Sequence, residues 1–392
     1  MNRISPFSLL WLATTPFLSP GFPRSNDIFI YLRDVTTLGL FGVPNGGIAP
    51  ELSDHVPDRR DMLGGFWPSA PVTLSLDVKP EVEPLTFSVI VCAYSMERWS
   101  DLVAAVSSLQ RQTFGSTEII IVVDHNETLL ARVRAELPGV TALANRYSRG
   151  LSGARNSGVE EATGEVVAFL DDDAIAAGDW LERLDSGYGR EKVTGIGGAV
   201  IPLWEGGRQP RWFPSEFLWV VGCSYTGQPT RLVAVRNLIG ANMSYRRAAM
   251  TAVGGFREGL GRIGRRPLGC EETELSIRVM NWFPDGQVLY DPEARVQHRV
   301  PKVRMRPAYF IERCYAEGLS KALVTRLVGA SSGLSSERTY TFQVLPRGVI
   351  AGLRSGLRGD LAGFGRAAAI IVGFAATTVG YVVGKVHPAA LT

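Results

Sequence analysis

An α/β fold of Rossmann-like character, with a mostly parallel sheet and helices on both faces, follows from three features of the chain's middle. Phe87-Ser-Val-Ile-Val-Cys-Ala-Tyr is an unbroken apolar run of strand length, residues 99–112 carry helical apolar spacing (Leu102, Val103, Val106, Leu109), and Thr117-Glu-Ile-Ile-Ile-Val-Val-Asp is a second apolar run. Strand, helix and strand in that order require a parallel crossover. The third feature is where carboxylates stand. Asp124 and the run Asp171-Asp172-Asp173 follow apolar runs, at the carboxyl edge where open sheets of this kind bind ligands.

Taken from the start, residues 1–23 hold one Arg and an apolar run broken by prolines, with no clean small-residue cleavage site, so a secretory leader is not expected. From Asp27 two short apolar runs separated by a polar break predict a small β-rich appendage within residues 1–60. Pro68, Pro71, Pro80 and Pro84 give residues 61–86 the composition of a linker. The α/β domain then spans residues 87–330, continuing with a helix over 154–162, a strand in Glu165-Val-Val-Ala-Phe-Leu and a helix from Asp179.

Residues 331–392 have a different texture. Ile350, Leu353, Leu357, Leu361 and Phe364 recur every three or four positions with Arg354 and Arg358 between them, the design of an amphipathic interfacial helix. Residues 367–384 then run without a charge and end at Lys385, a length at the border of what spans a bilayer. The pair Gly380 and Gly384 suits close helix packing. This tail is expected to meet a membrane surface, peripherally or as a single-helix anchor, with a buried core helix as the alternative.

Across all 392 residues, 41 basic and 38 acidic side chains leave a net charge of only +3, so nucleic acid is not an expected partner. Cys92, Cys223, Cys270 and Cys314 are far apart and form neither a zinc knuckle nor a disulfide framework, which fits a reducing compartment.

Three consecutive aspartates after an apolar strand call for a cation, and alternate residues Asp171 and Asp173 can share one side as hard oxygen ligands for Mg²⁺ or Mn²⁺. An acidic turn or helix N-terminus is the bland reading. Upstream, Arg149-Gly-Leu-Ser-Gly-Ala-Arg-Asn-Ser-Gly is a small-residue loop leading into a helix. Downstream come Gly240-Ala-Asn, Gly254-Gly-Phe and Glu271-Glu272-Thr-Glu-Leu, then His298 within a basic stretch of Arg295, Arg299, Lys302, Arg304 and Arg306. That stretch suits a pyrophosphate, an anionic lipid headgroup or plain solvent. Gly259-Leu-Gly-Arg-Ile-Gly fits a dinucleotide fingerprint by letter, but no strand precedes it. Trp204, Trp212 and Trp219 are expected in core packing rather than on a sugar.

In order and kind, these motifs over residues 87 to about 310 resemble the inverting glycosyltransferases of family 2, which have the GT-A fold. The resemblance implies that Ala93, Tyr94 and Asp124 meet the nucleotide base and ribose, Arg155 the base edge or phosphates, and Asp171 and Asp172 the donor. It further implies that Asp171, Asp173 and His298 hold Mg²⁺ or Mn²⁺ and that Glu272 is the general base, with Glu271 the fallback. The chain departs from the family pattern at two places near the nucleotide base: Asp124-His125-Asn126-Glu127 lacks the usual Asp and Ser, and Ser95 stands where an Asn is common. The expected reaction is metal-dependent inverting transfer from a nucleotide sugar to a lipid-linked or glycan hydroxyl, at the cytoplasmic face of a membrane. The rival readings are a non-catalytic sugar-nucleotide or glycan binder and a sugar nucleotidyltransferase.

Overall fold

The computed structural model describes residues 84–115, 117–262, 268–329, 333 and 337–387, all within the compact unit Val78–Thr392. The expected β-rich appendage (1–60) and the linker up to residue 83 lie outside the described residues.

The first half of the sheet is built from β1 (Phe87–Ala93), β2 (Thr117–Val123), β3 (Thr141–Ala144) and β4 (Val166–Asp171). They lie in the order β3-β2-β1-β4 and all pair in parallel, with Cys92 opposite Asp171 and Ala93 opposite Val123. The core segments of β1, β2 and β4 are buried on both faces, which is why Val and Ile run through them without alternation. The crossovers are α1 (Trp99–Gln110), α2 (Glu127–Glu136) and α3 (Leu151–Glu161). Asn126 caps α2 by accepting from the Leu129 amide at 3.0 Å. β3, four residues long, was too short to give a periodic signal.

Beyond β4 the sheet is mixed rather than parallel. After β5 (Ala174–Ala176) and α4 (Trp180–Tyr188) come β6 (Val193–Trp204), β7 (Val233–Ala234), β8 (Asn242–Arg246), α5 (Arg247–Ala252), α6 (Glu271–Trp282) and β9 (Gln287–Val300). β8 lies antiparallel between β4 and β6, β6 pairs in parallel with β9, and β5 and β7 pair antiparallel with β9. Parallel pairing therefore holds through the first four strands and again between β6 and β9, while β8, β5 and β7 pair antiparallel. An antiparallel neighbour needs no crossover helix, so helix-strand alternation cannot announce it.

Trp204 and Trp212 pack edgewise or tilted on Phe213, with ring centroids 5.7 and 5.3 Å away, and the Trp219 indole N–H donates to the Tyr340 hydroxyl at 3.0 Å. All three are packing residues, as their sequence setting suggests.

α7 (Pro307–Val328), α8 (Leu345–Leu357) and α9 (Ala362–Val386) complete the described chain. The stripe expected on one amphipathic helix is split: Ile350, Leu353 and Leu357 lie on α8, Leu361 in a turn and Phe364 on α9. The turn is made at Gly359, whose φ of +99° few other residues tolerate. α9 runs along α7, and at the crossing a Cβ on Gly318 would collide with the Thr377 carbonyl and one on Gly380 with the Tyr315 carbonyl. Gly380 thus serves close helix packing within this chain. The 25-residue α9 is long and apolar enough to cross a membrane, and Ile371, Val379, Val382 and Val386 on it are exposed. Gly380→Val should lower unfolding stability by about 1–3 kcal/mol through overpacking; an unchanged midpoint in chemical denaturation would contradict this crossing.

Candidate active site

The acidic corner is assembled by the sheet. Asp171 ends β4, Asp172 and Asp173 form the turn into β5, and Ala174 on β5 sits opposite His298 on β9. This register brings the three expected metal ligands together, so that ligand atoms of Asp171, Asp173 and His298 all lie within 4.8 Å of one another. His298 Nε2 is 3.1 Å from Asp173 Oδ1, and its Nδ1 is 3.8 Å from Cys223 Sγ. Asp173 and His298 are buried, whereas Asp171 is partly open. Two carboxylates and an imidazole converging so closely match the donor preferences of Mg²⁺ or Mn²⁺.

Asp172 points into a drier place. Burial pushes its carboxyl up to about 6, against the opposing charge of Arg98. Its Oδ1 accepts from Arg98 Nη1 at 2.5 Å, and its Oδ2 has no hydrogen-bond partner among the described residues. Arg98 Nη2 donates to Asp173 Oδ2, and Arg304 lies 3.8 Å from the same oxygen. Sequence reasoning passed over Arg98, which follows Tyr94 in a turn without a motif; Arg304 belonged to the flagged basic stretch.

The residues expected around a nucleotide gather where β1 and β2 end. Asp124 donates its amide to the Ala93 carbonyl at 2.8 Å. Its carboxylate accepts from Asn145 Nδ2 at 2.7 Å and from the Gly150 amide at 3.0 Å, and lies 2.9 Å from His125 Nδ1. Tyr94 is exposed, with the Arg98 guanidinium 5.6 Å from its ring centroid. Asn145 had no signal in the sequence, because it serves Asp124 from a separate loop after β3.

Arg155, expected at the base edge or phosphates, is engaged by protein groups. It is only 2% exposed, and its guanidinium donates to Glu271 Oε1 at 2.8 Å and to the Gly240 carbonyl at 3.1 Å while approaching Asp171 Oδ1 at 3.5 Å. Burial works against this cation, yet Glu271 and Asp171 hold its pKa above the ordinary guanidinium value. One side chain therefore ties the acidic corner to the start of α6.

The three glutamates of that first helical turn have different partners. Glu274 is fully buried and receives Arg257 Nε and Arg278 Nη2, each at 2.6 Å. Glu271 is paired with Arg155. Glu272 is half-buried, has no ion-pair partner among the described residues, and accepts from the Thr273 hydroxyl at 3.3 Å. Burial first, then the adjacent Glu271 carboxylate, pushes Glu272 up to about 8. A carboxyl tuned toward neutrality is able to exchange a proton under ordinary conditions.

Residues 88–254 match the family model for glycosyl transferase family 2. The chain is 34% identical over 306 residues to the glucosyl-dolichyl phosphate glucuronosyltransferase of Haloferax volcanii, covering 77% of this chain and 96% of that relative. It is 26% identical over 310 residues to the succinoglycan biosynthesis protein ExoM of Rhizobium meliloti, covering 69% and 94% respectively. Among solved structures, the mannosyltransferase PcManGT from Pyrobaculum calidifontis, in complex with GDP-Man and Mn²⁺, aligns with a TM-score of 0.51 and 16% identity over 78% of this chain and 88% of that one, a likeness of fold. With its sheet, its ordered acidic motifs and a relative matched over nearly its whole length, the chain belongs to glycosyltransferase family 2 and is a glycosyltransferase of the GT-A fold.

Proposed function

We propose that the protein transfers a sugar from a nucleoside diphosphate donor to a hydroxyl of a lipid-linked or glycan acceptor, with inversion and with a divalent metal. The observation that carries this reading is the convergence of Asp171, Asp173 and His298, with Arg155 tying Asp171 to Glu271, the neighbour of Glu272. Those three side chains would hold Mg²⁺ or Mn²⁺, which when bound supplies Lewis-acid neutralisation of the departing diphosphate. Tyr94, on an open face, receives the base, and Asp124, held in place by Asn145 and the Gly150 amide, receives the ribose. Buried Asp172 pairs with Arg98 beside this donor site.

Glu272 takes the proton from the acceptor hydroxyl. Of the three carboxylates at the start of α6 it alone lacks an ion-pair partner among the described residues, its one side-chain contact among them being the Thr273 hydroxyl on Oε1, which leaves Oε2 for an incoming hydroxyl. Attack from the side opposite the leaving group inverts the anomeric carbon. Arg155, engaged inside the protein, positions Glu271 and Asp171 rather than touching substrate.

The catalytic domain is assigned to residues 87–330, and residues 331–392 to a membrane-facing segment on the cytoplasmic side, where nucleotide sugars are found. Supporting this, Leu357 and Leu361 are 80% and 74% exposed at the α8–α9 turn, near Arg354 and Arg358. The Haloferax relative's name, with its dolichyl phosphate, favours a lipid-linked acceptor.

Four outcomes test the reading. Asp173→Asn should reduce Mn²⁺-stimulated transfer about 10²-fold or more, measured with a panel of nucleotide sugars; undiminished turnover removes the metal assignment. For the base, log kcat/KM should climb with pH and level off near the value of about 8 reached by Glu272, since only its ionised form accepts a proton. Glu272→Gln should cut turnover by about 10²–10⁴-fold with donor affinity retained, and a near-normal rate with the same pH profile would move the base elsewhere. The paired change Leu357→Glu and Leu361→Glu should shift the protein from vesicle-bound to free in flotation with anionic liposomes while its melting temperature holds; retained binding would remove this face from the membrane.

A further inference from the structure

We propose that Arg98 is a displaceable counter-ion of the acidic corner, competing with a divalent cation for Asp173 and thereby setting the metal affinity of the site. The inference rests on the metal-dependent reading above and adds to it a residue outside the expected ligand set.

Both oxygens of Asp173 are engaged. Oδ1 faces His298 Nε2 at 3.1 Å, while Oδ2 receives Arg98 Nη2 and lies 3.8 Å from Arg304. Arg98 also grips Asp172 Oδ1 at 2.5 Å, so one guanidinium neutralises two adjacent carboxylates. A divalent ion on Asp171, Asp173 and His298 would place two further positive charges against that guanidinium. The carboxylate cannot satisfy both cations fully, so binding the ion must loosen the arginine.

Arg98 is built to yield, and Arg155 is not. Arg155 is 3% exposed along its side chain and held by Glu271 and the Gly240 carbonyl. Arg98 is 19% exposed along its side chain, springs from the short surface turn Met96–Arg98, and has Asp172 and Asp173 as its ion-pair partners among the described residues. The Tyr94 ring, 45% exposed, already lies with its centroid 5.6 Å from the guanidinium, a cation–π contact on the donor side of the site that can retain the arginine once the carboxylate lets go. An arginine kept on Tyr94 holds a five-donor fork beside the position proposed for the nucleotide, where a phosphate oxygen can accept from it. Metal and donor binding are then linked through one side chain: the ion releases the arginine that the diphosphate engages, and the effect is reciprocal.

The test is a Mn²⁺ titration of the full-length protein without donor, followed by loss of the free-ion electron paramagnetic resonance signal. If the pair with Asp173 is populated nine-tenths of the time, Arg98→Gln should tighten Mn²⁺ binding about tenfold, because the competing conformer is gone. Arg98→Lys, which keeps the charge but loses the fork, should fall between the two and guards against misfolding of the neutral variant. Adding inorganic pyrophosphate should tighten Mn²⁺ binding more for wild type than for Arg98→Gln. Equal or weaker Mn²⁺ binding by Arg98→Gln, with Arg98→Lys unchanged, overturns the proposal and leaves the metal site standing. Failure of the wild type to bind Mn²⁺, with Asp173→Asn indistinguishable from it, overturns the metal reading and this inference together.

Discussion

The buried guanidinium of Arg155 is the constraint on which the rest of the site depends. It comes from α3, pairs with Glu271 on α6, approaches Asp171 at the end of β4, and bonds the carbonyl of Gly240 ahead of β8. Phe169 and Phe256 flank it, with ring centroids 5.8 and 5.3 Å from the guanidinium carbon. Four separate segments are thus referred to one cation. In such a dry place a half-broken pair is expensive, of the order of 3–5 kcal/mol, because the charge left behind has no water to turn to. That penalty holds the acidic corner and the start of α6 in one geometry.

Charge compensation then sorts the acidic side chains by what they are free to do. Glu274 is saturated by Arg257 and Arg278, and Glu271 by Arg155, so both are structural anchors of α6. Glu272 has no ion-pair partner among the described residues, and burial raises its proton affinity. Behind it, Cys270 carries the left-handed φ of +69° just before α6 and lies 3.3 Å by its sulfur from Glu317 on α7. Although burial would raise it, Lys321 and Arg313 hold Glu317 down at about 2, so it stays charged at any ordinary pH. The helix that presents Glu272 is therefore braced from Arg155 on one side and from α7 on the other.

α7 also connects chemistry to the tail. Its Gly318 admits α9 at close range, and Gly352 on α8 lies against the Gly363 carbonyl of α9. Small residues are spent on the inward faces while Leu357, Leu361 and Ile371 stay outward. The apolar stripe that reads as one amphipathic helix is in fact the shared outer surface of two, which is why a break at Gly359 does not interrupt it.

The sequence by itself determined what local order can carry. Unbroken Val and Ile runs separated by helical spacing specify the parallel half from β1 to β4, since a strand buried on both faces must be apolar throughout. Hard acidic groups after such strands announce the place of the site, and the order of motifs announces the family. Only the tertiary structure decided the mixed half, the short β3, the pairing of His298 with the strand that follows Asp173, and the partners of each glutamate. Arg155 and Glu271 are 116 residues apart, and Arg98 and Asp173 are 75 apart. No period of two or 3.6 residues encodes such meetings. They are fixed by strand register and by the high cost of leaving a buried charge alone, and both exist only once the chain has folded.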